Sequence, residues 1–360
     1  MTRAHSQRRR QVARALRQRG LDSLVVTHPP NWFYLTGFTG ESGALVVEKE
    51  RATLLTDGRF TVQAREEARG VRVALVKGGL FAAVGEWLRQ RGLRRIGFDP
   101  YQLSLARWNE LSKGAGAKCR TIEAGGIPEG LRSRKDAQEL AQMRKAAVLA
   151  GEVFEAVLPL VRPGVSEIEL AAELEHQMRR RGANGPSFET IVASGKRSAL
   201  PHARPTSRKL RKNELVVLDL GVILGHYCSD MTRTVYVGRA PRRIREWYQA
   251  VREAQEGGVA AVEAGITCGE VDSAVREVLK SAGLEEHFVH STGHGLGLEV
   301  HEEPRVARGQ QVRLQAGNVI TIEPGVYVEG VGGIRIEDDV AVRATGHEVL
   351  TRVKRDLIEI

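Results

Sequence analysis

LVVLDLGVILGHYCSDMTRT, residues 215–234, is the stretch that decides the fold. Four apolar residues lead into Asp219, the chain turns through two glycines, and a returning run carries Asp230. The pattern predicts two adjacent strands that bring two carboxylates together. One acid at a strand end facing water would explain either aspartate alone. A buried pair is different, because an unpaired carboxylate away from water must either be neutralised or find a cation.

The same construction returns near the C-terminus as NVITIEPGVYVEGVGGIRIEDD, residues 318–339. Glu323 takes the place of Asp219, and Glu337 follows on the returning run as Asp230 does. In both copies the first acid lies two residues before a glycine. Four acids in two matching frames indicate a duplicated, functional arrangement.

A duplicated helix supports this interpretation. GVSEIELAAELEHQMRRRG, residues 164–182, aligns without a gap on GITCGEVDSAVREVLKSAG, residues 265–283, at an offset of 101. Each copy begins with a capping-box pattern and ends at a glycine. Further along, His202 falls roughly opposite His301. Residues 134–360 are therefore predicted to form two similar halves, with helices outside, strands inside and the acids face to face.

The preceding part of the chain alternates strand-like and helix-like runs, which predicts a small α/β domain over residues 1–125. Its basic start lacks the apolar segment and cleavage pattern of a targeting signal, so we expect a first helix there. Residues 126–133 are predicted to be a linker. A long helix is then expected after Ser133, ending before Pro163 and Gly164.

Composition limits the classes of function. The 360 residues are 42% hydrophobic and 27% charged, and no apolar run approaches the roughly 18 residues of a membrane span. The net charge of +10 would permit nucleic-acid contact, but the arginines are spread along the chain, which favours a solvated surface instead. Three scattered cysteines suit a reducing compartment, and we expect a cytoplasmic protein.

Four converging carboxylates would repel one another by several kcal/mol per close pair, and two divalent cations would cancel their charges. A fifth ligand is suggested by HSTGHGLGLEVHE, residues 290–302, where glycines flank His294 and let the backbone bend so that the imidazole reaches inward. Such an oxygen-rich set suits Mn²⁺, with Co²⁺ or Zn²⁺ as alternatives. Two metals about 3.5–4 Å apart commonly activate a water molecule, which predicts a hydrolase.

With these motifs, the chain resembles the Xaa-Pro aminopeptidase and prolidase family of pita-bread metallopeptidases over essentially its whole length. The resemblance implies an α+β fold: a pita-bread catalytic domain with an internal pseudo-two-fold duplication, preceded by a small α/β creatinase-like domain. It also implies five metal ligands, namely Asp219, Asp230, His294, Glu323 and Glu337. Asp219 would hold one ion, His294 and Glu323 the other, and Asp230 and Glu337 would bridge them.

The resemblance extends to residues around the ligands. His202 and His301 are similar to the family's two histidines that bind substrate and stabilise the tetrahedral intermediate. Glu323 would carry a proton to the leaving nitrogen. Arg335 would share a strand face with Glu337 and pair with a ligand carboxylate, and His290 matches a further family histidine.

The substrates implied are small peptides with proline at the second position, and the family is often dimeric, so we expect a homodimer. The compact length and the run FTGESGALVV, residues 38–47, favour an Xaa-Pro aminopeptidase. A prolidase, which cleaves Xaa-Pro dipeptides, is the alternative. A non-catalytic pita-bread binding protein, including a nucleic-acid binder, is disfavoured because all five ligands are present.

Overall fold

The computed structural model describes residues 2–360, which divide into two compact units. The first unit ends at Arg132, and the second comprises Ser133–Ile360. Each has hydrophobic clusters of its own. In the described part of the chain, no helix has both the length and the apolar composition needed to cross a bilayer.

The first unit is a mixed sheet with helices. Its helices are α1 (Thr2–Gln18), α2 (Pro29–Thr36), α3 (Thr61–Glu67), α4 (Leu80–Gln90), α5 (Leu105–Ala115) and α6 (Ile127–Arg132). Its strands are β1 (Ser23–Val26), β2 (Ala44–Glu48), β3 (Ala52–Thr56), β4 (Arg72–Leu75), β5 (Arg95–Phe98) and β6 (Arg120–Glu123). The strand order is β4-β3-β2-β1-β5-β6. Every residue of β1 and β3 is buried, as expected for strands covered on both faces.

Helix α6 occupies most of the stretch predicted to be a linker. Two glycines, Gly125 and Gly126, precede it, and Pro128 lies in its first turn, where a missing backbone N–H costs little. The boundary between the units falls at the end of this helix, after Arg132. Residues 126–133 are therefore mostly helical.

The second unit contains the helices α7 (Ala137–Val157), α8 (Glu167–Arg180), α9 (Arg242–Ala260) and α10 (Cys268–Ser281). Its strands up to the middle of the unit are β7 (Gly185–Pro186), β8 (Ile191–Ser194), β9 (Glu214–Leu220), β10 (Val222–Leu224), β11 (Tyr227–Cys228) and β12 (Met231–Val237). The later strands are β13 (Gly293–Gly295), β14 (Glu302–Val306), β15 (Val319–Ile322), β16 (Gly325–Val328), β17 (Gly332–Arg335), β18 (Asp338–Val342), β19 (His347–Val349) and β20 (Ile358–Glu359).

These strands form sheets in the orders β20-β12-β9-β8, β14-β13-β15-β18-β19, β11-β10-β7 and β16-β17. Helices α7 and α8 share a hydrophobic cluster with β9 and β12, and α9 and α10 share another with β15 and β18. The predicted arrangement of helices packed on inner strands is therefore present twice.

The duplication is visible in local contacts. Helices α8 and α10 each begin at a capping box, Ser166 with Glu169 and Thr267 with Glu270. Each cap residue also forms an isolated β-bridge to the segment that precedes the acidic strand of its half. Matching caps, bridges and hairpins show that the helix alignment reflects a repeated structural unit.

Helix α7 differs from its prediction at both ends. It begins after Asp136, not Ser133, because the Asp136 carboxylate accepts hydrogen bonds from the first-turn N–H groups. It ends at Val157, before a 3₁₀ turn at Leu158–Leu160. Pro159 lies within that turn and cannot continue the α-helical hydrogen bonding, so the helix stops before Pro163 is reached.

Candidate metal centre

Four acidic side chains occupy matching positions in the hairpins that pair β9 with β12 and β15 with β18. Asp219 lies near the end of β9 and Glu323 directly follows β15, while Asp230 and Glu337 directly precede the returning strands. Asp219, Asp230 and Glu337 are 7%, 5% and 2% exposed, and the Glu323 side chain is 16% exposed. The hairpins carry all four carboxylates away from water.

Three of the predicted ligands meet closely. Asp230, His294 and Glu337 each offer a ligand atom, and these atoms lie within 4.8 Å of one another. His294 Nε2 is 3.7 Å from Asp230 Oδ2 and 3.6 Å from Glu323 Oε1. Asp219 lies within electrostatic reach of Asp230, Glu323 and Glu337. The two halves of the duplication therefore contribute to one cluster.

The ring of His294 is oriented for ligation. Its Nδ1 lies 3.0 Å from the carbonyl oxygen of Gly295 and donates to it, so Nε2 carries the free lone pair that faces the acids. Burial lowers the pKa of His294 to about 4, although its hydrogen bond to Gly295 acts in the opposite direction. The imidazole is therefore neutral at pH 7, as a metal ligand must be.

The glycines beside His294 serve close packing of strands. A Cβ at Gly293 would lie 1.9 Å from Thr321 O in β15, and one at Gly295 would lie 2.3 Å from Glu303 O in β14. Neither glycine has a positive φ. The pairing of β13 with β14 shifts register between Gly293 and Gly295, so the backbone is irregular where a bend was predicted, and the glycines also let the neighbouring strands approach.

The negatively charged forms of these acids repel one another. Burial raises the pKa of Glu337 to about 8, and the charge of Asp219 raises it further while Arg335 acts against the shift. Burial also raises the pKa values of Asp230 and Glu323 well above their ordinary range, with Glu337 as the largest neighbouring contributor in each case. Without a cation, this cluster holds protons at neutral pH.

A divalent cation fits these residues. Among the described side chains, Asp219 Oδ1 and Asp230 Oδ1 are buried without a hydrogen-bond partner. Buried carboxylate oxygens are normally satisfied, and their lone pairs are available to an ion here. Four carboxylates and one neutral imidazole are a donor set that suits hard or borderline divalent ions.

Arg335 organises one side of the cluster. Its guanidinium donates to Asp219 Oδ2 at 2.5 Å, to Thr232 Oγ1 at 3.0 Å and to the Tyr327 hydroxyl at 2.7 Å. Arg335 ends β17 and Glu337 lies between strands, but both side chains contact Thr232 Oγ1, so they point to the same side as predicted. The predicted ion pair of Arg335 with one of the four acids is present, to Asp219.

His290 joins the same network. Its Nδ1 donates to Ser291 O at 2.9 Å, so its Nε2 accepts from the Tyr327 hydroxyl at 2.8 Å. Burial and the Arg335 charge lower the pKa of His290 to about 4, and burial raises the pKa of Tyr327 to about 12. Asp219, Arg335, Tyr327 and His290 thus form a continuous chain of contacts in which both Tyr327 and His290 are neutral.

Three residues of this network were missed by the sequence analysis: Tyr327, Thr232 and Asp339. Thr232 donates to Glu337 Oε2 at 2.6 Å, and Asp339 Oδ2 accepts from Asp230 N at 3.1 Å. The available signal was position, since Thr232 lies two residues after Asp230 and Asp339 two after Glu337. Polar residues flanking a ligand on a buried strand are candidates for orienting it.

His301 and His202 lie beside the cluster. The rings of His294 and His301 are in edge-to-face contact, with centroids 4.3 Å apart. Burial, followed by the charge of His202, lowers the pKa of His301, and His202 also lowers the pKa of His290. His202 and His301 are solvent-exposed, so these imidazoles line the accessible side of the cluster. The structure thus places His301 against His294 and brings His202 within electrostatic reach of His290 and His301.

Comparison with known proteins agrees with this geometry. Residues 141–344 match the model of metallopeptidase family M24. The chain belongs to this family. Residues 8–134 match the creatinase/prolidase N-terminal domain. The predicted pita-bread fold with a creatinase-like N-terminal domain is confirmed, as is the expectation of a metallopeptidase.

This M24 metallopeptidase is similar to several peptidases over most of its length. It is 34% identical to the Xaa-Pro dipeptidase of Pyrococcus furiosus, over 98% of this chain and 99% of the relative. The solved Xaa-Pro dipeptidase from Bacillus anthracis is 37% identical, with a TM-score of 0.96 over 99% of this chain and 100% of that one. The solved X-Pro aminopeptidase from Thermotoga maritima is 34% identical, with a TM-score of 0.89 over 96% and 100%.

Proposed function

We propose that this M24 metallopeptidase is an Xaa-Pro dipeptidase, which hydrolyses the bond between an N-terminal residue and a C-terminal proline. The observation that supports this substrate class most is similarity over nearly the whole chain to the Xaa-Pro dipeptidases of Pyrococcus furiosus and Bacillus anthracis. The four clustered acids and His294 support metal-dependent hydrolysis at this site.

This proposal reverses the preference of the sequence analysis, which placed an Xaa-Pro aminopeptidase first. The run FTGESGALVV supported that preference, but its apolar residues Phe38, Leu45 and Val46 are all 0% exposed. The apolar part of the run therefore belongs to the core of the first unit, and core packing explains it without reference to peptide length. The similarity to the X-Pro aminopeptidase of Thermotoga maritima keeps that activity as the second candidate.

We further propose that the site holds two divalent ions, with Mn²⁺ as the first candidate because oxygen donors predominate. The side chains that would hold them are Asp219, Asp230, His294, Glu323 and Glu337. When bound, such ions supply Lewis acidity toward a carbonyl group and lower the pKa of water.

Glu323 is the side chain proposed to carry a proton to the leaving nitrogen. Its Oε1 lies 3.6 Å from His294 Nε2, and its Oε2 lies 3.9 Å from His290 Nδ1. Burial and the Glu337 charge raise its pKa well above the ordinary range, so its environment favours accepting a proton. It would deliver that proton to the proline nitrogen as the peptide bond breaks.

His301 and His202 are proposed to contact the scissile carbonyl group. The lowered pKa of His301 leaves a neutral imidazole with one N–H donor. A donor beside the carbonyl oxygen stabilises the negative charge that develops there during attack. His202 is solvent-exposed on the same side and would contribute a second donor.

The substrate length separates the two candidate activities. After incubation with Mn²⁺, we expect hydrolysis of Ala-Pro and no appreciable hydrolysis of Ala-Pro-Ala. Ala-Ala is the control for proline selectivity, and the chelator-treated protein is the control for metal dependence. Preferential cleavage of Ala-Pro-Ala would establish the aminopeptidase instead, and absence of hydrolysis of either peptide would reject both.

A further inference from the structure

A buried acid that lies outside the metal cluster holds the segment that carries His202. Glu167 is the first residue of α8 and is 0% exposed. The segment from 195 to 206, here the His202 loop, follows β8. We propose that Glu167 is a positioning residue that fixes His202 for catalysis by joining the two ends of the His202 loop. The catalytic part of this inference rests on the proposed function.

The contacts of Glu167 close the loop. Its Oε1 accepts from Ser194 N at 2.9 Å and from Ser194 Oγ at 2.8 Å, immediately before the loop. Its Oε2 accepts from Thr206 N at 3.1 Å and from Thr206 Oγ1 at 2.7 Å, at the last residue of the loop. One carboxylate therefore binds both ends of the loop, and each oxygen serves one end.

The interior of the loop is tied to the same anchor and to the metal cluster. Arg197 donates to Glu167 Oε2 at 3.1 Å and to Arg204 O at 2.6 Å, across the segment that contains His202. Arg335 donates to Pro201 O at 3.2 Å, at the residue directly before His202. The backbone on both sides of His202 is thus held by side chains, while its imidazole remains exposed.

Helix α8 does not require an acid at this position. Its N-terminus is already capped by Ser166 and Glu169. In the duplicated helix α10, the residue equivalent to Glu167 at the offset of 101 is Cys268. The two helices begin in the same way without sharing this acid, so Glu167 serves the adjoining loop more than the helix.

A carboxylate is chemically specific for this task. Both of its oxygens accept hydrogen bonds, and they do so from two hydroxyls, two backbone N–H groups and a guanidinium. An amide of the same shape would turn an NH₂ group toward one end of the loop and would leave donors facing a donor. Glu167→Gln therefore changes the contacts of the loop with little change in volume.

The test compares Glu167→Gln with the matched control Glu175→Gln, a partly exposed glutamate two turns further along the same helix and outside its capping box. Hydrogen exchange of residues 195–206 is measured in the full-length protein, together with metal content and kcat/KM for Ala-Pro. We expect faster exchange in the His202 loop and a loss of about 10- to 100-fold in kcat/KM for Glu167→Gln, the range typical of residues that orient a site. Metal content should stay at the wild-type level, and the control should match wild type.

Combining Glu167→Gln with His202→Ala tests whether Glu167 affects catalysis through His202. If Glu167 acts through His202, the double variant is no slower than His202→Ala alone. A full multiplicative loss in the double variant, or unchanged loop exchange in Glu167→Gln, overturns the proposal. Should Glu167→Gln fail to fold, Thr206→Val removes the hydroxyl that donates to Glu167 Oε2 and accepts from Arg208 N, and it is expected to give a smaller change of the same kind. If wild type cleaves no Xaa-Pro peptide, the proposed function fails, and loop exchange alone decides whether Glu167 holds the loop.

Discussion

Thr232 donates its hydroxyl hydrogen to Glu337 Oε2 at 2.6 Å, and so joins a strand of the first acidic hairpin to a carboxylate of the second. The same hydroxyl oxygen accepts from Arg335 Nε at 3.0 Å. Thr232 is 0% exposed, so water cannot replace either contact.

Thr232→Val should therefore destabilise the protein by about 1–3 kcal/mol, because it leaves a buried guanidinium N–H and a carboxylate oxygen without partners. Affinity for Mn²⁺ should also fall, since Glu337 loses the contact that orients it. Urea unfolding and titration calorimetry measure the two effects. Thr232→Ser keeps the hydroxyl and should retain most of the Mn²⁺ affinity; equal losses in the two variants would show that the hydroxyl is unimportant.

Arg335→Met should cost about 3–5 kcal/mol of unfolding free energy, because it removes the cation paired with Asp219 and leaves a buried charge unpaired. Arg335→Lys should recover only part of this loss, since an ammonium group keeps the charge but cannot reach Asp219, Thr232 and Tyr327 together. Chemical unfolding of the metal-free proteins gives both values. A fully stable Arg335→Met variant would contradict the importance of this ion pair.

In the metal-free protein, the free energy of unfolding should fall as pH rises. The folded-state pKa of Glu337 is about 8 against an ordinary 4.5, and those of Asp230 and Glu323 are also raised, so the folded state favours their protonated forms. The stabilisation of the folded state that comes from these protonated forms is complete below the ordinary pKa. It is lost as pH rises through the folded-state pKa. His290 and His294, whose pKa values are lowered to about 4, act in the opposite direction but only below about pH 6.5.

The Tm of chelator-treated protein should consequently decline between pH 6.5 and about 8, and the increase in Tm caused by Mn²⁺ should grow over the same interval. Differential scanning calorimetry in both states measures this. Glu337→Gln removes one of the titrating groups and should flatten the decline. A metal-free Tm that rises with pH in this interval would be incompatible with the cluster described above.

Glu323→Gln should lower kcat for Ala-Pro by about 10²- to 10⁴-fold, the range expected when a proton-transfer group is lost. The exposed Glu329→Gln, six residues along the chain, is the control and should behave as wild type. Metal content must be measured alongside turnover, because Glu323 is also a proposed ligand. Normal turnover in Glu323→Gln with two ions retained would exclude the proposed proton-transfer role.

The acidic hairpins were predictable because a continuous apolar run and a repeated frame identify both the strands and the positions of the acids relative to them. Asp219 and Glu323 were matched from spacing alone, and the structure places them at equivalent strand ends. Arg335 was expected beside the acids, but its true partner, Asp219, is 116 residues away in the chain. Which carboxylate an arginine reaches depends on how two hairpins pack, and local pattern does not contain that information.

Tyr327 and Thr232 were missed for a related reason. Each is an ordinary strand residue in sequence, and its importance comes from a hydroxyl that meets groups from distant segments, His290 for Tyr327 and Glu337 for Thr232. Peptide-length preference was also beyond the sequence, since the run used to infer it forms part of a hydrophobic core. For Tyr327 and Thr232, contacts formed only after folding decide the importance of the hydroxyl.

The split of the acids between the halves has an evolutionary consequence. Asp219 and Asp230 come from one repeat, and His294, Glu323 and Glu337 come from the other. A single ancestral repeat would have carried only part of the set, so it could have assembled a complete centre only by associating with a second copy of itself. Gene fusion would then have turned an intermolecular partnership into an intramolecular one, after which each copy was free to specialise.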